Sequence, residues 1–341
     1  MDAVSIWTVA FPAPRRAAGT AEALERAGWD GLLFTDSQNL SGDVYVALGL
    51  AAAATSRLGL GTGVTNPVTR HPAATASAIA TIQILSGGRA VLGIGRGDSA
   101  LFHLGQPPAS VSVFARYLER LQGYLCGDTV DLDGAPSRIE WLAGSERPKV
   151  PVDVAATGPR VIELAGRLAD RITFSVGASP ERIRAGIERA RAARRAAGLD
   201  PDALRFGAYV NVAPHPDVSV ARDLVRGGIG TMAHFSGMPG SSAEGVPAAD
   251  RAEFEGIHAR YDRARHSMNA AHHAAALDPA FIDRFAAVGP PRACVAKLAE
   301  VAAAGLDRLV LLGPSRDADP VDAERARALL AEEVLPALQG R

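Results

Sequence analysis

Gly61–Ile82 reads GTGVTNPVTRHPAATASAIATI, and the stretch around it, Leu58–Asp98, decides the fold. It predicts a buried strand over Leu58–Val64, an irregular polar turn over Thr65–Pro72, an Ala- and Thr-rich helix, and a second buried strand in RAVLGIGRGD. Strand, crossover helix and parallel strand are the unit of an α/β sheet. Gly59, Gly61 and Gly63 interrupt the apolar run, and glycine inside a strand marks a bulge or a closely approached backbone. The strand is therefore expected to press its backbone against something flat.

Outward from that stretch the same alternation continues. The sequence predicts strands near Val4–Val9, Gly31–Thr35, Leu58–Val64, Ala90–Ile94, Val152–Ala156, Arg171–Ser175, Phe206–Val212 and Arg308–Leu312. Helices are expected near Thr20–Ala27, Val44–Ala54, Ala73–Leu85, Val111–Leu125, Pro159–Leu168, Pro180–Ala197, Val218–Arg226 and Pro291–Ala304. Thr20, Asp43, Ser110 and the Ser179-Pro180 pair read as helix starts, while Gly28, Gly198 and Gly305 read as stops. Eight such units in 341 residues predict one (β/α)8 TIM barrel over residues 1–341, within the roughly 200 to 400 residues of that fold. Two stretches exceed the minimal barrel. Asp128–Val150 is expected to hold a small hairpin, and residues 227–278, inserted after strand seven, form a lid, a substrate-selecting segment or a passive insertion.

Composition narrows the function. The chain is 48% hydrophobic, so it can bury a large core, and its net charge of -1 gives no electrostatic case for nucleic acid or an anionic membrane. No apolar run reaches the ~18 residues of a membrane span, and the first thirty residues lack a signal-peptide pattern. Cys126 and Cys294 match neither a disulfide framework nor a zinc pattern, which fits a reducing cytoplasm. Lys149 and Lys297 are the two lysines; one lies in a Pro-flanked loop and one in a helix, so Schiff-base chemistry falls in rank.

Barrel enzymes work at the carboxyl ends of their strands, which selects the candidate residues. Strand one ends at Ala10, Phe11 and Pro12, and strand two at Asp36, Ser37, Gln38 and Asn39. Strand three is followed by Thr65, Asn66, Thr69, Arg70 and His71, and strand four by Arg96, Gly97, Asp98, Ser99 and His103. Strand five leads into Thr157, Gly158, Pro159 and Arg160. GIGRGD, Gly93–Asp98, lacks the third glycine of a dinucleotide fingerprint. AATGPR, Ala155–Arg160, ends a strand at a helix amino terminus, which is either an anion site or a plain helix cap. His258, His266, His272 and His273 carry no flanking Cys or carboxylate pattern and read as a solvated helix face, so no metal is expected.

The phrase GTGVTNPVTRHPAATASAIATI, with SGGRAVLGIGRGDSA and ATGPRVIELAGRLAD, resembles the luciferase-like monooxygenase superfamily. Its nearest likeness is to the deazaflavin (coenzyme F420) dependent branch that includes methylenetetrahydromethanopterin reductase. The resemblance implies a non-proline cis peptide at Gly63-Val64 supporting the central ring of the cofactor. It also implies ring contacts from Asp36, and Thr65 and Asn66 beside the polar edge of the ring. Gly95, Gly97 and Asp98 would lie near the reacting face, and the backbone of Ala155, Ala156, Thr157, Gly158 and Pro159 at the cofactor phosphate.

The chain departs from that pattern in two places. Ser37 stands where several relatives of this kind have a histidine after the aspartate, and Trp7 and Thr8 stand where some have an acid on strand one. Imidazole-catalysed alcohol or sugar-phosphate oxidation is therefore not expected, and neither is the specific pterin reductase activity. Asp98 is left as the acid positioned to move a proton, with capping of the next turn as its other role, and Asp36 and Ser37 complete the candidate catalytic set. His71 reads as a structural or cofactor-edge residue and His103 as a pocket wall. The implied function is F420-dependent hydride transfer to or from a small organic substrate, by reduction of C=N or C=C. FMN-dependent monooxygenation is the alternative, and beyond it stand a non-catalytic flavin carrier and a phosphate-handling barrel enzyme. The expected partners are a small-molecule substrate and a second subunit, with neither nucleic acid nor membrane.

Overall fold

In the computed structural model, which describes residues 4–142, 148–238, 246 and 248–340, the unbroken apolar runs are strands buried on both faces. Strands β1 (Ser5–Ala10), β2 (Gly31–Phe34), β3 (Gly59–Thr62) and β4 (Ala90–Ile94) are followed by β5 (Val130–Leu132) and β6 (Ala135–Ser137). Then come β7 (Val152–Ala156), β8 (Arg171–Phe174), β9 (Arg205–Pro214), β10 (Ala287–Gly289) and β11 (Arg308–Leu312). Every residue of β2, β3 and β4 is buried, as strands covered by helices on one side and a filled interior on the other must be. The sheet order is β10-β9-β11-β1-β2-β3-β4-β7-β8, and a further β9–β8 pairing closes it. The fold is a (β/α)8 TIM barrel of eight parallel strands, with β10 added alongside the end of β9 (Ala287 opposite Val212). β5 and β6 form the hairpin expected between Asp128 and Val150; residues 143–147 of that stretch lie outside the described residues.

By compactness the chain divides into two units, Val9–Ala155 with Leu164–Ile172, and Met1–Thr8, Ala156–Glu163 and Thr173–Arg341. In the first, α1 (Ala17–Arg26), α2 (Val44–Ala54), α3 (Pro72–Leu85), α4 (Ser99–Phe102) and α5 (Val111–Cys126) link the strands. Asp43 caps α2 by accepting from Tyr45 and Val46, and Ser110 caps α5 by accepting from Val113, as their sequence positions predict. Thr20 does not start its helix; α1 begins after Arg16, and Thr20 lies inside it. Gly28 (φ 86°) follows the last turn of α1 in the left-handed region, where glycine has no Cβ to clash. The Glu25 carboxylate then receives the Ser56, Arg57 and Leu58 amides at 2.6–3.0 Å and fixes the entry to β3.

Gly61 in β3 and Gly63 just after it are closely approached by protein on the side where a Cβ would stand. A Cβ on Gly61 would stand 2.5 Å from the Val91 carbonyl oxygen and 2.9 Å from Leu33, and one on Gly63 would stand 2.7 Å from the Leu33 Cβ. Strands β2, β3 and β4 are therefore drawn together at positions that tolerate no side chain.

In the second unit, α6 (Pro159–Leu168) begins and α7 (Pro180–Ala196) follows, with Ser179 as its cap. Then come α8 (Val218–Ser236), α9 (Ala248–Ala259), α10 (His272–Ala275), α11 (Pro279–Phe285), α12 (Pro291–Ala302), α13 (Pro320–Leu329) and α14 (Leu335–Leu338). Helix α8 does not stop at Arg226; it runs through GGIG to Ser236, so the boundary drawn at residue 227 falls inside a helix. The glycines admit neighbours: a Cβ on Gly227 would stand 2.6 Å from the Met268 backbone, and one on Gly230 would stand 2.7 Å from the His273 ring. Close packing here outweighs the ~1 kcal/mol propensity cost of each helical glycine. Leu224, Val225, Ile229, Phe254, Ile257 and Phe281 form the core of this part. Residues 239–245 and 247 of the inserted segment lie outside the described residues.

The histidines of this segment are not a solvated face. His234 and His273 are each 1% exposed. The His234 ring stacks on Tyr261 at 3.8 Å and on His258 at 4.8 Å, and the Tyr261 hydroxyl meets His266 Nδ1 at 2.7 Å; only His272 of the set is exposed. Among the described residues no group of three or more His, Cys, Asp or Glu side chains is placed to hold a metal ion.

Candidate active site

The loops after β2, β3 and β4 carry most of the residues selected from sequence, and all of these loops belong to the first unit. The Gly63-Val64 peptide is cis, as the family resemblance implies. Gly63 and Val64 are half-buried, whereas Thr65 and Asn66 just beyond them are buried. The Thr65 amide donates to the Gly93 carbonyl and the Gly95 amide donates to the Thr65 carbonyl, both at 3.0 Å, so the peptide is held against the end of β4. A Cβ on Gly95 would come within 3.2 Å of Val64 Cγ2.

Asp36 is the centre of the polar network. Its carboxylate is 4% exposed, and its Oδ2 accepts from Thr65 Oγ1 at 2.7 Å and from Arg70 Nη1 at 2.6 Å. Arg70 Nη2 donates to Asp43 Oδ2 at 2.8 Å, and its guanidinium lies 4.9 Å from the Tyr45 ring centre. Burial pushes the Asp36 carboxyl above the usual carboxylate range, against the pull of Thr65 and Arg70. Burial acts on Asp43 in the same sense, but the Val46 amide and Arg70 outweigh it and hold Asp43 below its ordinary value. The Tyr117 hydroxyl, paired with Thr75 at 2.7 Å, is pushed up by burial to about 12.

The other candidates divide by role. Asn66 Oδ1 accepts from the Val68 and Thr69 amides at 3.0 Å each, so its side chain shapes the loop. Ser37 Oγ meets Ser99 Oγ at 3.3 Å, and Gln38 Nε2 donates to the Ala100 carbonyl at 2.9 Å, joining the β2 loop to α4. Asp98 precedes α4 and makes no side-chain cap; Leu101 and Phe102 bond to its backbone carbonyl instead. Gly97 (φ 88°) takes a left-handed turn beside Leu101 and Asn66. His71 is the cap of α3, its Nδ1 accepting from the Ala73 amide at 3.2 Å, and His103 is exposed, edge-on to Phe102.

Of AATGPR, Ala155 belongs to the first unit, and Ala156, Thr157, Gly158 and Pro159 to the second. Thr157 Oγ1 donates to the Ser175 carbonyl at 3.4 Å, and the Val161 and Ile162 amides turn back onto the Gly158 carbonyl as α6 begins. The strand, turn and helix start are those expected from sequence.

Sequence reasoning placed Arg70 among the loop candidates after strand three but gave it no role, and gave Tyr45, Thr75 and Tyr117 no part in the site. The available signal was Arg70 itself, a cation in the turn after β3 within reach of two acidic loop residues.

A 5,10-methylenetetrahydromethanopterin reductase from Methanolobus tindarius is 29% identical over 330 residues, covering 92% of this chain and 94% of that protein. An F420-dependent glucose-6-phosphate dehydrogenase from Beutenbergia cavernae is 36% identical over 184 residues, covering 50% of this chain and 55% of that protein. The solved coenzyme F420 dependent tetrahydromethanopterin reductase from Methanopyrus kandleri superposes with a TM-score of 0.75 at 24% identity, over 98% of this chain and 99% of that one. The sequence profile of the luciferase-like monooxygenase family matches residues 3–308, and this chain belongs to that family.

Proposed function

We propose that this protein is an F420-dependent oxidoreductase acting on the C=N or C=C bond of a small organic substrate. The observation that carries the reading is the loop at the end of β3, which is hydrogen-bonded to β4 through Thr65 and bordered by one polar network of the buried Asp36 and Thr65 with the half-buried Arg70. The residues fit a flat cofactor with one polar edge. Val64 offers an apolar, half-buried surface, and Thr35 Oγ1 and Thr69 Oγ1 are buried hydroxyls without a hydrogen-bond partner. The full-length relation to a 5,10-methylenetetrahydromethanopterin reductase supports a reductase.

When bound, F420 supplies hydride transfer; reduced FMN would supply oxygen activation instead. Gly63 and Val64 would support the ring, Asp36, Thr65 and Asn66 would border its polar edge, and Gly95, Gly97 and Asp98 would lie near the reacting face. The backbone from Ala155 to Pro159 would hold the phosphate. Asp98 would exchange the proton that accompanies reduction, with Asp36 and Ser37 fixing the loop beside it. The segment 227–278 would select the substrate within a single barrel domain. An FMN-dependent monooxygenase is the second reading, favoured by membership of the luciferase-like family.

Homodimerisation through the outer faces of α2 and α3 belongs to the same proposal. Neither VYVALGLAAAA nor PAATASAIATIQIL contains a charged residue, and Val46, Leu50, Ile84 and Leu85 are exposed on them. Helices apolar all round are stable when covered. No helix among the described residues is long and apolar enough to cross a membrane, and Cys126 and Cys294 are both free, which supports a cytoplasmic setting.

Anaerobic turnover tests the proposal. Reduced F420 with a cyclic iminium or enone acceptor should return the absorbance of oxidised F420 only when enzyme is present. Oxygen-dependent product formation with reduced FMN, and none with F420, would replace the first reading by the second.

A further inference from the structure

Arg70 lies in the loop that follows the Gly63-Val64 peptide, with 22% of its side chain exposed. Its two terminal nitrogens reach different elements: Nη1 donates to Asp36 at the end of β2, and Nη2 donates to Asp43 at the start of α2. The Asp36 oxygen that takes Arg70 also takes the Thr65 hydroxyl. A planar guanidinium with donors at fixed angles can bridge two carboxylates in this way, whereas a lysine ammonium is a single point of charge.

We infer that Arg70 is a positioning residue that keeps Asp36 ionised and locked onto Thr65, and so fixes the polar border of the Gly63-Val64 peptide. The inference rests on the reading of this site as the cofactor site. The groups facing Asp36 are Thr65 and Arg70 from the β3 loop, Asp43 and Tyr45 from α2, and Tyr117 from α5. Burial and the neighbouring carboxylate drive Tyr45 above its ordinary value and burial does the same to Tyr117, so both stay neutral. Arg70 is therefore the counter-charge. Without it, the buried Asp36 carboxylate stands beside the half-exposed Asp43 with no counter-charge, and burial favours its protonated form.

The test uses the full chain with Arg70→Gln, Arg70→Lys, Asp36→Asn and the Arg70→Gln/Asp36→Asn double variant. Thermal midpoints from pH 4 to pH 8, without cofactor, read the electrostatics directly. In Arg70→Gln the folded-state value of Asp36 rises further above its unfolded value, so stability falls as pH rises through that interval. Relative to the double variant, Arg70→Gln should lose midpoint steadily above about pH 4, and wild type relative to Asp36→Asn should lose less. F420 and FMN affinities over the same range form the second readout. Those of Arg70→Gln should vary by up to about tenfold per pH unit where Asp36 titrates; those of wild type should vary little, with Arg70→Lys between them. A midpoint loss in Arg70→Gln that is equal at every pH and unrelieved by Asp36→Asn would overturn the inference. If Arg70→Gln does not fold, Arg70→Lys carries the same comparison. Failure of wild type to bind either cofactor would count against the reading of the site and leave the midpoint result to decide on Arg70.

Discussion

Replacing Gly61 by alanine tests how tightly the strands beneath the candidate site are drawn together. Ordinary contact with a Cβ begins near 3.4 Å, and the new Cβ would stand 2.5 Å from the Val91 carbonyl oxygen, so β3 and β4 would have to part by about 0.9 Å there. The obstacle is backbone, which cannot rotate away as a side chain can. A ladder hydrogen bond of about 2.9 Å stretched by that amount is no longer a bond. One such bond is worth about 0.5–1.5 kcal/mol net, and overpacking a core adds about 1–3 kcal/mol. A loss of about 2–4 kcal/mol follows. The unfolding entropy of a chain this long is about 0.7 kcal/mol/K, so the melting midpoint should fall by about 3–6 °C. Gly19→Ala is the control: Gly19 lies inside α1 with nothing within 4 Å of a Cβ, and alanine there should add about 0.5–1 kcal/mol. The assay is thermal unfolding by circular dichroism, both variants beside wild type at one scan rate. If Gly61→Ala melts as high as Gly19→Ala, the close approach of β3 to β4 is wrong.

Three further outcomes are expected. Burial first, then the charges of His258, Arg263, His273 and His266, lowers His234 from its ordinary 6.5 to about 3; the unfolded chain binds the extra proton between those values, so stability is complete above pH 6.5 and falls below it. The slope for this group approaches about 1.4 kcal/mol per pH unit, and equal urea midpoints at pH 7 and pH 5 would contradict it, as would a His234→Phe variant with the wild-type slope. Val46→Asp with Leu85→Asp should convert a dimer to a monomer in light scattering after gel filtration, with the barrel's circular dichroism unchanged; a persistent dimer would move the interface elsewhere. Asp98→Asn should lower kcat by about 10²–10⁴-fold if it moves a proton in the slow step, with cofactor affinity preserved; an unchanged kcat would remove Asp98 from the chemistry.

Much of the barrel was legible in the chain. Strands four, five and eight stand where the apolar runs place them, at Ala90–Ile94, Val152–Ala156 and Arg308–Leu312. Asp43, Ser110 and Ser179 cap as read, because a cap is decided within four residues. What failed depends on partners distant in sequence. Gly227 and Gly230 look like a helix stop until residues 267–274 are seen packed against them, and the need for glycine at 61 is set by Val91 on the neighbouring strand. The histidines near the end of the insertion look solvent-facing on their own, but His273 is buried beside Tyr261, and His258 and His266 are half-buried against His234 and Tyr261. β10, α11, α13 and α14 were absent from the reading because their segments are short or weakly periodic. At the site, family resemblance supplied the cis Gly63-Val64 peptide. It did not supply Arg70, whose two carboxylate partners lie 34 and 27 residues away in sequence.

The central claim is that the end of β3 holds a deazaflavin. The direct measurement is a pair of titrations of the purified apoprotein, with oxidised F420 and with FMN, followed by tryptophan fluorescence quenching. The account predicts saturable, tight binding of F420 and weak binding of FMN, with F420 affinity lost in Asp36→Asn. Tight FMN binding with weak F420 binding would contradict the deazaflavin assignment and turn the chemistry toward oxygen. Binding of neither would contradict the cofactor site altogether and leave only the barrel.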